Sequence, residues 1–277
     1  MITERLKTAD GVSVGLHHFT ADDSSPRPAV LLLHGAFTSH RVWLRGFAAY
    51  FAERGFDVWL ADLRHHGVSD REPAPRTWWF EDWITRDAPA LLARIRERTG
   101  ARPLGVVGHS AGGVVALGVL ARAVAHPPFE ALVALGSPGP RDLGVVRRGG
   151  AVAARAMAQL LGRFPARALR FGGEDEGAHL FSQWMGWNIR GRWQGRDGLD
   201  YLEALTLART PYLGVAGGRD WFFSPPYACR EIVERIGSPR KDFHIATALD
   251  HPGLVLDPWA TEQVTPRAAE WLRAVLA

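Results

Sequence analysis

Residues 108–112 read Gly-His-Ser-Ala-Gly, and they lie between an apolar run at residues 104–107 and a small-residue stretch at 113–125. This pattern predicts a strand, a sharp turn and a helix, with Ser110 at the corner between them. The corner forces the serine into a strained backbone conformation, and a Cβ on either flanking glycine would collide with the adjoining strand or helix. We therefore predict that Ser110 is a nucleophile.

A serine hydroxyl is a weak nucleophile near pH 7 and needs a histidine base that is held by a carboxylate. Asp220 follows Gly-Gly-Arg at the end of an apolar strand predicted at residues 211–216, and it is the predicted acid. His251 lies in a loop after a strand predicted at 242–247, and it is the predicted base. Together these residues predict a Ser-His-Asp catalytic triad.

Three other carboxylates compete with Asp220 for the place of the acid. Asp250 is adjacent to His251 and should point away from it in an extended loop, and Asp257 lies six residues further along the chain. Asp62 ends a predicted strand, and we expect it to form a structural turn interaction with Arg64. Asp220 is preferred because it lies just past the carboxyl end of a strand, where it can point along the sheet edge.

An acyl-transfer site also needs N–H donors for the oxyanion of its tetrahedral intermediate. The N–H of Ala111 follows the nucleophile at the positive end of the predicted helix. A second donor is expected after the apolar strand at 29–33, where Gly35 lets the chain bend back toward the serine. The N–H of Ala36 is the first choice there and that of Phe37 the second.

Several motifs together resemble the α/β-hydrolase superfamily along nearly the whole chain: His34-Gly35, the segment 62–69 (Asp-Leu-Arg-His-His-Gly-Val-Ser), the Ser110 turn, Gly218-Arg219-Asp220 and His251-Pro252. The order serine, aspartate, histidine matches that superfamily. The resemblance is closest to monoacylglycerol-lipase-like and serine-aminopeptidase-like esterases, which carry a helical lid before the acid-bearing strand.

The sequence departs from the family pattern at one position, and the resemblance also bears on the choice of the acid and on the type of reaction. His65 stands where relatives usually carry glycine, which bears on the shape of that turn. Some relatives place the acid after the strand that precedes the lid, but Gly136 and Ser137 hold that place here, which favours Asp220. Relatives with an aspartate nucleophile act as dehalogenases or epoxide hydrolases, whereas the serine implies acyl chemistry.

The elements needed to position these residues follow the apolar pattern of the chain. Short strands are predicted at 3–8 and 12–19, then apolar strands at 29–33, 57–61, 104–107 and 131–135, with helices at 41–54, 83–98 and 113–125 between them. This alternation predicts an α/β fold with a mostly parallel central sheet and helices on both faces. We assign residues 1–140 and 210–277 to this core, with a final helix around 260–276, and residues 141–209 to an inserted helical lid.

Eleven tryptophans are unevenly placed along the chain. Trp184, Trp187 and Trp193 lie in the predicted lid, where their rings could line a pocket for a hydrophobic substrate group or could fix the lid to the core. We treat them as candidate substrate-binding residues. The group at residues 78–83 is expected to pack in the core or under the lid.

Composition excludes several other classes of protein. The formal net charge of +4 comes from basic residues scattered among acids, which favours a solvated surface over a nucleic-acid site. Cys229 is the only cysteine, so no intrachain disulfide can form. The many histidines lack a metal-binding pair such as His-Glu-x-x-His, and we predict no metal. A leader segment and an apolar span are not evident, and we expect a cytoplasmic enzyme.

The sequence therefore predicts a serine hydrolase that cleaves carboxylic esters through an acyl-enzyme and needs no cofactor. Its expected partner is a small ester with a hydrophobic acyl or alcohol group, not a nucleic acid or a spanned membrane. A thioesterase or an acyltransferase would use the same triad, and a binding protein without turnover is a third alternative. The motifs leave the oligomeric state open.

Overall fold

The computed structural model describes residues 1–19, 27–71, 77–140 and 143–277. Its main sheet has eight strands in the order β1-β2-β4-β3-β5-β6-β9-β10. The bounds of these strands are β1 (Ile2–Lys7), β2 (Ser13–His18), β3 (Ala29–Leu33), β4 (Asp57–Asp62), β5 (Leu104–His109), β6 (Ala131–Leu135), β9 (Tyr212–Gly217) and β10 (Lys241–Ala246). Strand β2 pairs antiparallel with both β1 and β4 at one edge, and the strands from β4 to β10 in this order are parallel to one another.

The central strands are apolar throughout because both faces of the sheet are covered. In β3, Leu31 and Leu33 enter one core while Val30 and Leu32 enter the other. Helices pack on both faces: α1 (Phe47–Glu53), α3 (Ala88–Thr99), α4 (Ala111–Arg122), α8 (Pro226–Arg235) and α11 (Thr265–Leu276). The predicted α/β fold with a mostly parallel sheet is confirmed.

Three predicted helices are interrupted in the structure. The segment predicted at 41–54 forms a 3-10 helix, His40–Arg45, and then α1, because Gly46 between them has a φ of +130°. The segment predicted at 83–98 starts earlier, with α2 (Phe80–Asp82), and passes through a π-helical turn, Trp83–Asp87. The C-terminal helix divides into α10 (Ala260–Gln263) and α11, which begins with a proline near its first turn, where no N–H is needed.

An insertion between β6 and β9 lies where the sequence predicts a lid. Its described part contains α5 (Gly144–Leu161), α6 (Ala178–Arg190) and α7 (Tyr201–Leu205). The segment is not helical throughout: β7 (Arg163–Phe164) and β8 (Glu176–Gly177) form a small antiparallel pair that the helical pattern did not predict. The remaining helix of the chain's described part is α9 (Gly253–Leu256), directly after His251.

In the part of the chain that the structure describes, every helix is too short or too polar to cross a lipid bilayer.

Candidate active site

Ser110 lies between β5 and α4 with a φ of +52° and a ψ of −119°, which is a strained conformation for a residue with a side chain. A Cβ on Gly108 would lie 2.4 Å from the Gly113 nitrogen, and a Cβ on Gly112 would lie 2.3 Å from the Leu33 carbonyl oxygen. Both flanking glycines are therefore required by contact with the neighbouring backbone. Tight packing on both sides fixes the serine at the carboxyl edge of the sheet.

A continuous chain of hydrogen bonds joins Ser110, His251 and Asp220. The distance from His251 Nε2 to Ser110 Oγ is 2.9 Å, and that from His251 Nδ1 to an Asp220 carboxylate oxygen is 2.8 Å. A carboxylate only accepts, so Nδ1 carries a proton and Nε2 is left to accept the serine proton. This arrangement is the one that base activation of a serine requires.

Asp220 is held as an anion at the end of β9. Burial raises the pKa of Asp220. The hydrogen bond and charge of His251 and the backbone N–H groups of Ser224 and Phe223 lower it by more, so the pKa lies below its usual value. Both N–H groups donate to the carboxylate at 2.9 Å. Asp250 instead accepts from the N–H of Gly253, and Asp257 from that of Trp259.

His109, the residue before the serine, supports the histidine loop. Its Nε2 donates to the backbone carbonyl of His251 at 3.1 Å, because a carbonyl oxygen can only accept. Burial, together with the nearby His251, lowers the pKa of His109 to about 3, so this ring stays neutral at pH 7. Gly136 also lies close to this loop, since a Cβ there would be 3.1 Å from His251 Nδ1.

The turn after β3 brings a backbone segment close to the serine. A Cβ on Gly35 would lie 3.1 Å from the Ser110 Cβ. His34 holds this turn in shape, since its Nε2 accepts the Leu63 N–H at 3.1 Å and its Nδ1 lies 2.8 Å from the Gly35 carbonyl oxygen. Burial lowers the pKa of His34 to about 4, in keeping with a neutral ring.

The predicted oxyanion donors differ in whether they are free. Within the described residues, the N–H groups of Ala36 and Ala111 donate to no other group. The N–H of Phe37 donates to the buried carboxylate of Glu176 at 2.9 Å. Ala36 and Ala111 are therefore available to bind an oxyanion, whereas the second-choice donor Phe37 is already engaged.

A cavity of about 330 Å³ opens beside Ser110 and His251. Its apolar wall includes the side chains of Trp184, Phe171, Phe223 and Val255. Two arginines, at positions 41 and 45, lie at its polar side. A cavity of this size and character is typical of sites for small, largely apolar ligands.

The three lid tryptophans occupy different places. Trp184 lines the cavity beside Ser110. Trp187 and Trp193 are each 1% exposed and lie in the main hydrophobic core, where Trp193 stacks on Tyr201 with ring centroids 4.9 Å apart. The structure therefore does not bring Trp187 and Trp193 to the cavity, because they lie on the side of the insertion that packs against the core.

The predicted interaction between Asp62 and Arg64 is absent from the described residues, and each side chain has other partners. Arg64 bonds Asp87 and Asp10. The carboxylate of Asp62 lies 3.0 Å from His17 Nε2 and 2.9 Å from His40 Nδ1. This difference arises because strand β2 and the 3-10 helix bring two imidazoles to Asp62 from distant parts of the chain.

Among the described residues, His17, His40 and Asp62 have side-chain nitrogen and oxygen atoms within 4.8 Å of one another, which is close enough to bind one metal ion. Backbone N–H groups of His40 and Val68 donate to the same carboxylate at 2.8 and 3.0 Å. Burial raises the pKa of Asp62, but the hydrogen bonds from the His17 and His40 side chains, the nearby His34 and the His40 backbone N–H together lower it far below its usual range. The carboxylate is thus already satisfied by four N–H donors, and we interpret the cluster as a structural anchor for the turns.

His65 adopts a φ of +79°, in the region that favours glycine. This is the position at which the related turn usually carries glycine, the residue that adopts a positive φ without steric cost. Burial lowers the pKa of His65 to about 4. The turn is stabilised by Ser69, whose hydroxyl donates to the Asp62 carbonyl at 2.6 Å.

Residues 28–254 match the sequence profile of the alpha/beta hydrolase fold family, and the chain belongs to that family. It is 30% identical over 109 residues to a tear acid lipase-like protein of Mesocricetus auratus, a match that covers 35% of this chain and 27% of that protein. It is also 30% identical over 128 residues to lipase member K of Homo sapiens, covering 40% of this chain and 32% of the lipase. Each match spans less than a third of the relative's length.

Solved structures share the fold over almost the whole chain. A thermophilic esterase from Thermogutta terrifontis superposes with a TM-score of 0.69 at 19% identity and covers 100% of both chains. A monoglyceride lipase from Saccharomyces cerevisiae superposes with a TM-score of 0.74 at 15% identity and covers 99% of this chain and 96% of the lipase. At these identities the likeness concerns the fold.

Proposed function

We propose that this protein is a serine-dependent hydrolase of carboxylic esters. The observation that carries the proposal is the hydrogen-bonded chain Ser110–His251–Asp220, whose serine and histidine line a cavity that Ala36 also lines. Lipases among its partial sequence relatives and esterases among its structural relatives support the same class of reaction. The nucleophile, the base, the acid and the two oxyanion donors of the proposed mechanism all come from this chain.

In the acylation step, the Ser110 Oγ attacks the ester carbonyl carbon while His251 Nε2 takes the serine proton. The carbonyl oxygen becomes an anion and accepts hydrogen bonds from the Ala36 and Ala111 N–H groups. The tetrahedral intermediate collapses, the bond to the alcohol oxygen breaks, and His251 returns the proton to the departing alcohol.

In the deacylation step, His251 removes a proton from water as the water attacks the acyl-enzyme. The second tetrahedral intermediate releases the carboxylic acid, and Ser110 regains its proton. Asp220 keeps the Nδ1 proton in place and stabilises the imidazolium that forms in both steps.

Residues 141–209 act as a lid that supplies part of the wall around the acyl or alcohol group. The cytoplasmic location stays a prediction.

The proposal is tested by measuring hydrolysis of p-nitrophenyl acetate, butyrate, hexanoate and octanoate by the purified protein. We expect turnover that the Ser110→Ala variant lacks. A parallel assay with an acyl thioester, and one with an added alcohol acceptor, separates an esterase from a thioesterase and an acyltransferase. Absence of hydrolysis of every ester, with rapid turnover of the thioester, would contradict the proposal.

Trp184 should affect the preference for acyl length. Replacing its ring by alanine removes part of the apolar wall of the cavity, and each methylene of the acyl chain held against that wall contributes about 0.8 kcal/mol. We therefore expect Trp184→Ala to lower kcat/KM for the octanoyl ester at least about tenfold more than for the acetyl ester, since about 1.4 kcal/mol corresponds to a factor of ten.

The matched control is Trp187→Phe, which alters a ring of the same helix that faces the core. This variant should lose stability in thermal unfolding and keep the wild-type order of the four esters. An equal loss of rate over the whole series in Trp184→Ala would mean that Trp184 supports the insertion and does not contact the acyl chain.

A further inference from the structure

Glu176, at the start of the short strand β8, is a fully buried carboxylate of the insertion that reaches the turn after β3. One of its oxygens, Oε1, lies 2.9 Å from the Phe37 nitrogen and 3.0 Å from His66 Nε2. We propose that Glu176 is a positioning residue that holds the oxyanion turn in its active conformation. The proposal rests on the proposed function and extends it, because it makes the insertion a part of the oxyanion site.

The insertion contacts Phe37 at its N–H, at its carbonyl and at its ring. Glu176 accepts its N–H, and the backbone N–H of Glu174 donates to its carbonyl at 2.9 Å. The ring packs against aromatic side chains of the insertion, with centroid distances of 5.5 to 6.4 Å to Phe164, Phe171, Phe181 and Trp184. The residue next to the free Ala36 N–H is therefore fixed by contacts from outside the sheet.

The backbone of Phe37 needs this support. Its φ is +65°, a left-handed conformation that is unfavourable for a residue with a bulky side chain. Its N–H is buried and would lose its hydrogen bond if Glu176 were removed, and an unsatisfied buried donor is destabilising. Relaxation of Phe37 would rotate the peptide that joins Ala36 to Phe37, and this peptide adjoins the Gly35–Ala36 peptide that carries the Ala36 N–H.

The charge of Glu176 is balanced locally by His66. Nδ1 of His66 lies 3.2 Å from the Arg64 carbonyl oxygen, and Nε2 faces Glu176, so both ring nitrogens donate and the ring is an imidazolium. Burial lowers the pKa of His66, but the charge and hydrogen bond of Glu176 raise it above its usual value. Burial raises the pKa of Glu176, while His66 and the Phe37 N–H lower it below its usual value.

This ion pair joins three parts of the chain: the turn after β3, the turn after β4 and the insertion. A buried pair of charges is a costly way to gain stability, because desolvation offsets much of the attraction. What the pair provides instead is position: His66 holds the Glu176 carboxylate in place, and the carboxylate accepts the Phe37 N–H. The engagement of Phe37 leaves the Ala36 N–H as the free donor of this turn within the described residues.

The test compares three replacements of Glu176 in the full-length protein. Glu176→Ala removes the acceptor, Glu176→Asp withdraws it by one methylene, and Glu176→Gln keeps an acceptor oxygen without the charge. The control is Glu81→Ala, since Glu81 is likewise buried and also ties the insertion to the core, through Gln183 and Tyr201, at a place away from Phe37. The assays are thermal unfolding, kcat and KM for p-nitrophenyl butyrate, and inhibition by an aryl boronic acid.

We expect Glu176→Ala and Glu176→Asp to lower kcat about 10- to 100-fold with KM within about threefold, a part of the 10²- to 10³-fold loss caused by removing a whole oxyanion donor. The boronate adduct of Ser110 is an anionic mimic of the tetrahedral intermediate, so its inhibition constant should rise by a similar factor. Glu176→Gln should recover most of the activity. Glu81→Ala should lose stability and keep kcat within about twofold, a change typical of sites outside the chemistry.

Two results would overturn the proposal. One is a folded Glu176→Ala or Glu176→Asp variant with kcat and boronate affinity near wild type. The other is an equal loss of kcat in Glu81→Ala, which would show that general loosening of the insertion explains the effect. If Glu176→Ala does not fold, the Asp variant decides between these outcomes. A wild-type protein without esterase activity would instead remove the proposed function, and the inference with it.

Discussion

Replacing His251 by alanine is expected to lower kcat for ester hydrolysis by about 10⁵- to 10⁶-fold, the loss seen when the base of a serine triad is removed. The reason is geometric as well as chemical. His251 Nε2 lies 2.9 Å from the Ser110 hydroxyl, and no other imidazole of the described chain is hydrogen-bonded to that hydroxyl. Without it, neither the serine nor the deacylating water has a proton acceptor.

The matched control for this variant is His126→Ala, because His126 is exposed and lies after α4, away from the sheet edge that carries the triad. Circular dichroism and thermal unfolding should show that both variants are folded. Stopped-assay rates with p-nitrophenyl butyrate give the comparison. Near-normal turnover by folded His251→Ala would mean that another group acts as the base.

Replacing Asp220 by asparagine should give the second large effect. The carboxylate accepts one backbone N–H at each oxygen, from Phe223 and from Ser224, besides the His251 Nδ1–H. An amide in this place must turn its NH₂ toward one of these donors. It either loses the Phe223 hydrogen bond or faces Nδ1 and forces the wrong tautomer on His251, and in both orientations the negative charge is gone.

We therefore expect Asp220→Asn to lower kcat by about 10² to 10⁴, the upper figure being that of the serine-protease template. KM should change little, because Asp220 lies behind His251 and does not line the cavity. Asp250→Asn is the control, since that carboxylate adjoins His251 in sequence but bonds the Gly253 N–H. A crippled Asp250→Asn beside an active Asp220→Asn would place the acid elsewhere.

The sheet, and the meeting of Ser110, His251 and Asp220 at its edge, could be predicted because local sequence determines them. The apolar run before Ser110 and its two flanking glycines specify the sharp turn, and the ends of parallel strands must meet at one edge of the sheet. Asp220 and His251 follow the ends of two such strands. Their juxtaposition therefore follows from the strand order, although the hydrogen-bond distances do not.

The insertion could be predicted much less well. Helical composition does not show which side of a helix meets the core, and so Trp184 could not be distinguished from Trp187 and Trp193. The carboxylate of Glu176 gave no signal, because its partners Phe37 and His66 lie 139 and 110 positions away in the chain. Contacts at such sequence separation depend on how the insertion packs.

The Asp62 turn illustrates the same limit within the core. Two residues apart in sequence, Asp62 and Arg64 have opposite charges, which suggested a local interaction. The structure pairs each with residues on other elements, because buried charges need several hydrogen bonds and a neighbour on the same turn cannot supply them all.

The most direct test of the account is mass spectrometry of the protein after reaction with a fluorophosphonate. We expect the intact mass to rise by one adduct and peptide mapping to place that adduct on Ser110. Labelling should be rapid in wild type, lost in Ser110→Ala and strongly slowed in His251→Ala. An adduct that persists in Ser110→Ala, or that maps to Ser69 or Ser137, would contradict the assignment of Ser110 as the nucleophile.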